Sequence, residues 1–130
     1  MSKPALRFDT PNCQAVRGLL DTIGSKWTVV VIEELGDRPK RFSELKRDVR
    51  EITQKSLTAV LRELERQGLV ERTVTPLIPP RVDYQLTALG YSLLNSLKVL
   101  INWAVDNEKS VRAARERFIA LAGEAGGEAR

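Results

Sequence analysis

The sequence predicts a mainly α-helical protein with one small β-hairpin. Apolar residues recur at helical spacing through most of the chain, whereas two short stretches between residues 70 and 86 alternate apolar and polar residues as strands do. A proline-rich segment joins these two stretches. With 130 residues, 42% of them hydrophobic, the chain is long enough for about one domain around a single core.

Composition excludes several kinds of site. Cys13 is the single cysteine and histidine is absent, so an internal disulfide, the usual zinc sites and histidine-based acid–base catalysis are unavailable. We therefore expect no metal, no other cofactor and no enzymatic activity. No apolar run approaches the roughly 20 residues that cross a bilayer, and no secretory signal is visible, which predicts a cytoplasmic protein without a membrane partner.

The middle of the chain is basic. Between Arg38 and Val82 there are eleven Lys or Arg residues against six Asp or Glu, whereas the whole chain has a net charge of +4. A basic middle on a nearly neutral body favours a polyanion such as nucleic acid as the partner. Ordinary charge scatter on a solvated surface is the alternative.

The first half of the chain is predicted to be helical. Four apolar residues at helical spacing predict a first helix from about Cys13 to Ile23. A second helix begins near Trp27 and ends at Gly36, because Pro39 prevents its continuation.

A short helix should follow an extended link at residues 41 and 42. Ser43 is expected to be the N-cap of this helix, which carries Leu45 and Val49 on one face.

The next helix is amphipathic and begins with polar residues. Thr53 is its expected N-cap, Gln54 its first residue and Gly68 its end. Its buried stripe is expected to be Leu57, Val60, Leu61 and Leu64. Two helices joined by a tight turn, the second with a polar N-terminal half, have the form of a helix-turn-helix whose second helix enters a major groove.

After Gly68 the periodicity changes from helix to strand. Residues 70–74 and 82–86 should pair as antiparallel strands, and the proline-rich connection between them should project as a wing, with Arg81 at or near its tip. An ordinary surface turn is the alternative. The fold class is therefore a winged helix-turn-helix, with residues 41–86 forming the helix-turn-helix and the wing.

The C-terminal part is predicted to mediate dimerisation. Thr87 should cap a long helix whose apolar stripe, from Leu89 to Val105, is wider than one core requires, so a second subunit is expected to cover it. Another helix follows from Val111 to Leu121. We expect a single domain over 1–122, with an N-terminal arm at 1–10, dimerisation helices at 88–122 and a flexible tail at 123–130.

Several segments together carry a family resemblance. "CQAVRGLLDTIGSKWTVVVIEEL", "RFSELKRDVREITQKSLTAVLRELERQGLVERTV" and "PPRVDYQLTALGYSLL" are similar, in order and spacing, to the HxlR-type winged helix-turn-helix transcription regulators of bacteria, which are related to the MarR group. The resemblance covers about residues 13 to 104. It implies a homodimer, paired through its first and last helices, that binds a double-stranded DNA operator. Two-fold symmetry makes an inverted repeat the expected operator.

The resemblance also implies which residues bind DNA. The helix from Gln54 to Arg66 is similar to the recognition helix, and its candidates for bases or nearby phosphates, with the cap included, are Thr53, Gln54, Lys55, Ser56, Thr58, Ala59 and Arg62. Lys26, Arg41 and Ser43 lie near helix starts and suit phosphate contacts. Arg81 suits a wing that reaches the minor groove or its phosphates.

Cys13 matches the position of a cysteine that serves as the switch in several redox- or electrophile-sensing members of that family. A helix N-terminus and Arg17 one turn further on both favour the thiolate form, so an oxidant or a small electrophile is the candidate effector. The alternative is a half-buried thiol that packs at the dimer interface. For the whole chain, the alternative to a DNA-binding regulator is a winged-helix module that binds proteins and senses nothing.

Overall fold

Six helices and a three-stranded sheet make up the described part of the chain. The computed structural model describes the backbone of residues 11–129 and the side chains of residues 11–123. The elements are α1 (Pro11–Ile23), α2 (Lys26–Asp37), β1 (Lys40–Arg41), α3 (Phe42–Asp48), α4 (Gln54–Arg66), β2 (Val70–Thr75), β3 (Arg81–Leu86), α5 (Ala88–Asp106) and α6 (Glu108–Ala129). This confirms the predicted fold class. The N-terminal arm predicted at 1–10 lies outside the described residues.

The sheet is antiparallel, in the order β1-β3-β2. β2 and β3 form the hairpin predicted from alternation, with Val70 opposite Leu86 at its base and Thr75 opposite Arg81 at its far end. The two-residue strand β1 was not predicted as a strand. It adds to the free edge of β3, where Lys40 faces Tyr84.

The packing divides into two compact units between Leu94 and Asn95, inside α5. In the first unit, α4 contributes its predicted stripe to the core, since Leu57, Val60, Leu61 and Leu64 are all buried. Each such side chain stabilises the fold by about 1.5–3 kcal/mol relative to an exposed one. Residues of α2 and α3, among them Ile32, Leu35 and Leu45, complete this core.

Two predicted helix caps are confirmed by hydrogen bonds. The Thr53 hydroxyl accepts from the Ser56 amide at 3.0 Å. The Thr87 hydroxyl accepts from the Gly90 amide at 3.1 Å and donates to the carbonyl of Gly68. Each bond satisfies an amide that the helix itself leaves without a partner.

α4 ends at Arg66, and Gly68, the predicted stop, follows the C-cap Gln67 with a φ of +74°. Two backbone bonds close the helix, from Gly68 to the Glu65 carbonyl and from Leu69 to the Leu64 carbonyl. This pattern places the residue after the cap in the left-handed region, which suits glycine because it has no Cβ.

The prediction for the start of α3 is wrong. Ser43 is not its N-cap: the helix begins one residue earlier, at Phe42, and Arg41 is the N-cap. The Glu44 side chain accepts from the Arg41 amide at 3.1 Å, so a carboxylate three residues along satisfies the amide of the N-cap residue. Arg41 is extended, as expected, but Phe42 is already helical.

The last helix is longer than predicted. It runs from Glu108 to Ala129, whereas the apolar spacing indicated only Val111 to Leu121. The backbone of residues 123–129, expected to be a tail, therefore continues the helix, and flexibility of this segment stays a prediction. In the described part of the chain, no helix combines the length and the apolar character needed to span a membrane.

Candidate nucleic-acid interface

The N-terminal half of α4 presents the predicted polar residues to solvent. Gln54, Lys55, Ala59 and Arg62 are exposed, whereas Ser56 and Thr58 are half-buried. Thr53 is exposed as well, but its hydroxyl is engaged with Ser56, since it also donates to the Ser56 hydroxyl at 3.0 Å. The candidates of this helix are thus exposed or half-buried, whereas its apolar stripe is buried.

The two arginines of α4 differ in their partners. Arg66 binds the carboxylate of Glu63 through two nitrogens, at 2.6 and 2.8 Å, and this pair lowers the pKa of Glu63 to about 2. Arg62 makes no ion pair with any residue whose side chain the structure describes. The Arg62 guanidinium is therefore available to an external acceptor. Arg66 could bind such an acceptor only by breaking its ion pair with Glu63.

A groove separates α4 from the sheet. It has a volume of about 370 Å³ and is lined by Phe42, Gln54, Thr58, Leu61, Arg62, Glu65, Arg72 and Tyr84. Three predicted candidates, Gln54, Thr58 and Arg62, form its helical wall. Arg72 and Tyr84, on the opposite wall, were missed by the sequence analysis. The sequence did contain an indication of their position. Side chains alternate between the two faces of a strand, and Arg72 and Tyr84 lie two residues from the buried pair Val70 and Leu86. They therefore lie on the same sheet face, which packs against the helices.

The wing has Arg81 close to its tip, as predicted, but the turn itself is apolar. Its turn, residues 76–80, contains no charged side chain, and Leu77 and Ile78 project into solvent. Arg81 is the first residue of β3, and its Nε lies 3.1 Å from the nearer carboxylate oxygen of Asp83. Part of the positive charge expected near the tip is therefore balanced within the wing.

The start of α3 carries an ion-pair network. The Glu44 carboxylate accepts from Arg38 at 2.8 Å and from the Arg41 amide, which together lower the pKa of Glu44 to about 2. The Arg41 Nε lies 3.8 Å from the same carboxylate. Arg41 and Ser43 are exposed beside this network, where the sequence analysis placed phosphate contacts.

Lys26 lies apart from α3 and α4 in the sequence, at the first residue of α2. It is exposed, and its ammonium group lies 4.7 Å from the centre of the Trp27 ring, a cation–π distance. The N-cap of α2 is Ser25, whose hydroxyl accepts from the Trp27 amide at 3.3 Å.

A buried lysine links β1 to α2 and α3. Lys40 of β1 is 5% exposed, and its Nζ donates to Glu34 of α2 at 2.7 Å and to Asp48 of α3 at 3.1 Å. These bonds raise the pKa of Lys40 and lower that of Asp48. The sequence analysis counted Lys40 only as part of the basic middle.

Cys13 is the third residue of α1 and is half-buried. Towards the other end of α1, Thr22 is buried and its hydroxyl donates to the Gly18 carbonyl at 3.0 Å. The Gln67 side-chain amide donates to the Thr22 hydroxyl and, at 2.8 Å, to Glu63 of α4. A continuous set of hydrogen bonds therefore joins α1 to the C-terminal turn of α4.

Large apolar side chains remain exposed in both units. On α1 they are Val16, Leu19 and Leu20. On α5 and α6 the most exposed are Leu89, Val99, Leu100, Trp103, Val105, Phe118, Ile119 and Leu121, each 55% to 71% exposed. Patches of this kind on a small domain mark surfaces that a partner covers.

The chain is similar to known helix-turn-helix regulators. A family model described as HxlR-like helix-turn-helix matches residues 22–112. An HTH-type transcriptional regulator of Halalkalibacterium halodurans is 46% identical over 92 residues, which cover 70% of this chain and 81% of that protein.

Solved structures agree with this relationship. The redox regulator HypR, in its reduced form, has a TM-score of 0.72 at 37% identity and covers 76% of this chain and 98% of its own. The transcriptional regulator YodB of Bacillus subtilis, also in its reduced form, has a TM-score of 0.63 at 35% identity, covering 73% of this chain and 90% of its own. The chain therefore belongs to the HxlR-like helix-turn-helix family, and it is a transcriptional regulator with a DNA-binding helix-turn-helix rather than an enzyme.

Proposed function

We propose that the protein is a homodimer that binds an inverted-repeat operator in double-stranded DNA, with α4 in the major groove and the wing at the neighbouring minor groove. The observation that carries this proposal is the polar N-terminal half of α4, which is exposed beside a projecting hairpin while the opposite side of the helix is anchored in the core. A helix held in this way presents its side chains to base edges without losing packing.

Binding to duplex DNA is tested by its dependence on salt. Fluorescence anisotropy of a labelled genomic fragment, selected by the protein from sheared DNA, should give a log affinity that falls linearly with log salt concentration. The slope reports how many phosphates are neutralised, about 0.9 for each one. A protein that binds no duplex at low salt would instead fit the alternative of a protein-interaction module.

Arg62 is the proposed base-reading residue, because it is exposed and has no ion pair in the described part of the chain, and a guanidinium suits the two acceptors of guanine. Arg62→Ala should weaken operator binding by about 1–3 kcal/mol and weaken binding to unrelated DNA much less. Arg66→Ala is the matched control, one helical turn away but already bound to Glu63. Equal losses on operator and unrelated DNA would mean that Arg62 holds a phosphate.

Dimerisation is proposed from the exposed apolar residues of α1 and of α5 and α6. A two-fold dimer carries one α4 in each subunit, so its half-sites should lie about 34 Å apart, one turn of DNA, or a small multiple of that distance. Light scattering at micromolar protein should return twice the chain mass of 14.6 kDa. A monomer mass throughout, or a footprint without dyad symmetry, would contradict the proposal.

Control by oxidation or by an electrophile at Cys13 is the remaining proposal. Its support is the position of Cys13 on α1, the hydrogen bonds from α1 to α4, and the similarity to HypR, which is described as a redox regulator. Oxidation of the two thiols of a dimer to a disulfide, with the electrons passing to diamide, or addition of the thiolate to a quinone, would strain α1 and shift α4.

The sensor proposal is tested by operator binding before and after treatment with diamide or a quinone. Wild-type affinity should change about 5- to 150-fold, the usual range of allosteric coupling. Cys13→Ser should bind normally and ignore both reagents. If complete modification of the wild type leaves its affinity unchanged, Cys13 has only a packing role.

A further inference from the structure

The groove between α4 and the sheet is lined by two arginines and one glutamate, Glu65. Arg62 stands on its helical wall and Arg72 on its sheet wall, and the Tyr84 phenol lies beside Arg72 because the two residues are directly opposite in the β2–β3 register. Leu61 and Phe42 line the same groove. Apolar neighbours exclude water and strengthen the attraction of a guanidinium for an anion.

Arg72 is held only loosely in this groove. Its Nε lies 3.6 Å from the nearer carboxylate oxygen of Glu65, which is beyond hydrogen-bonding distance, and half of its side chain is exposed. A structural ion pair would be closer and would use two of the guanidinium nitrogens, as the Arg66–Glu63 pair does. Glu65 therefore attracts the Arg72 guanidinium, but it leaves the N–H donors of that group available to another acceptor.

The position of the groove indicates what it binds. The inference rests on the proposed function: if α4 enters a major groove and the wing reaches the next minor groove, the strand that separates these two grooves must pass between helix and wing. That path runs over the mouth of the groove, and the phosphates of the strand are the groups it presents. The fork of an arginine matches the oxygens of a phosphodiester, and a phenol can donate to the same group.

We propose that Arg72 and Tyr84 bind one phosphodiester of the DNA strand that runs between the recognition helix and the wing, while Arg62, across the groove, faces the bases. Glu65 holds the Arg72 guanidinium at the mouth of the groove in the free protein. When DNA arrives, the phosphate takes over the guanidinium, and Glu65 remains at the groove edge as a carboxylate that lowers the affinity for every DNA sequence alike.

The sharpest test neutralises the DNA rather than the protein. A scan replaces single phosphates of the selected operator with uncharged methylphosphonates and measures wild type and Arg72→Gln side by side. One position in each half-site, at the border of the major and minor grooves, should weaken wild-type binding about tenfold, the effect of one charge-assisted hydrogen bond. Arg72→Gln should lose clearly less than wild type at that position, because only Tyr84 still contacts the phosphate there, and should lose as much as wild type elsewhere.

Variants of the protein test the phosphate site independently of the modified DNA. Arg72→Gln should reduce the salt slope by about 1 and weaken operator and unrelated DNA equally. Arg112→Gln, which removes an arginine paired with Glu108 on α6, is the control and should leave the slope unchanged. Glu65→Gln should tighten binding to all duplexes about two- to fivefold, a gain that misfolding cannot produce.

The outcomes separate this inference from the proposed function. Wild type that shows no salt-dependent duplex binding would overturn both. Wild type that binds DNA, with Arg72→Gln equally sensitive at every methylphosphonate position and Glu65→Gln unchanged, would overturn the phosphate site and leave the regulator intact. Tyr84→Phe, which removes only the hydroxyl, should weaken binding about threefold, and no effect would remove Tyr84 from the site.

Discussion

Replacing Lys40 by methionine should destabilise the protein by about 2–3 kcal/mol. Methionine preserves most of the apolar stem, so the loss comes from two charge-assisted bonds, to Glu34 at 2.7 Å and to Asp48 at 3.1 Å. Each such bond contributes about 1.5–3 kcal/mol, and its loss also leaves two carboxylates facing one site. Against this, the ammonium group no longer has to be desolvated, and the carboxylates, 33% and 26% exposed, regain water.

Urea unfolding at one fixed protein concentration measures the effect at neutral pH. Lys46→Met, on the exposed side of α3, is the control and should stay within about 0.5 kcal/mol of wild type. The double variant Lys40→Met, Glu34→Gln should recover part of the loss, because it removes one of the two unpaired carboxylates. If Lys40→Met is as stable as wild type, the lysine is not what joins β1 to α2 and α3.

The ion pairs of Lys40 also determine how the stability difference between wild type and Lys40→Met depends on pH. The pKa of Lys40 is raised from 10.5, first by the Glu34 hydrogen bond, so its contribution is complete below pH 10.5 and is lost as the pH rises through the folded-state value. The pKa of Asp48 is lowered from 3.8, first by Lys40, so its contribution is present above pH 3.8 and is lost as the pH falls. The stability difference between wild type and Lys40→Met should therefore be flat between these limits and shrink beyond them.

Three smaller predictions follow from local contacts. Thr53→Ala should destabilise α4 by about 1 kcal/mol, because the Ser56 amide loses its cap, whereas Thr53→Ser should be nearly neutral; thermal unfolding of the two variants compares them. Glu44→Gln should make the stability of the protein less dependent on pH between pH 4.5 and 2. The reason is that Arg38 lowers the pKa of Glu44 to about 2, and the resulting stabilisation disappears as the folded-state carboxylate is protonated. If the stability of wild type and of the variant falls identically with pH, this reasoning is wrong. Glu51→Asn should stabilise the turn before α4 by about 0.5 kcal/mol, because Glu51 has a φ of 70° that asparagine adopts more readily; a less stable variant would show that the glutamate side chain has a role of its own.

The elements that sequence predicted well are those whose signals are local. Thr53 and Thr87 cap their helices because a hydroxyl reaches an amide three residues along, and a cap of this kind depends on nothing distant. The stripe of α4 is equally local, since its period alone places Leu57 and Leu64 on one side.

The errors arise where competing or distant contacts decide. Ser43 is a good capping residue, but Glu44 accepts from the Arg41 amide and allows the helix to begin at Phe42. β1 contains two residues, too few to show alternation, and it exists because the edge of β3 offers it a partner at Tyr84.

The DNA-facing candidates divide in the same way. Gln54, Lys55 and Arg62 follow from the helical wheel of α4, so sequence places them correctly on its exposed side. Arg72 belongs to the groove only because β2 pairs with β3 in one register and the sheet packs beside α4. Alternation along β2 predicts that Arg72 lies on the same sheet face as Val70. It does not predict which helix packs against that face.

The hydroxyl of Thr87 has a mechanical consequence. It joins the Gly68 carbonyl, just beyond the end of α4, to the Gly90 amide, in the first turn of α5, so the C-terminal end of α4 is tied to the start of α5 and can act as a pivot for the helix. With 13 residues, α4 is about 20 Å long. A rotation of about 10° at the pivot would swing Gln54 by roughly 3.4 Å, which is one base-pair step along DNA. If α4 enters the major groove as proposed, small angular changes at the start of α5 would thus move Gln54 by a whole base-pair step.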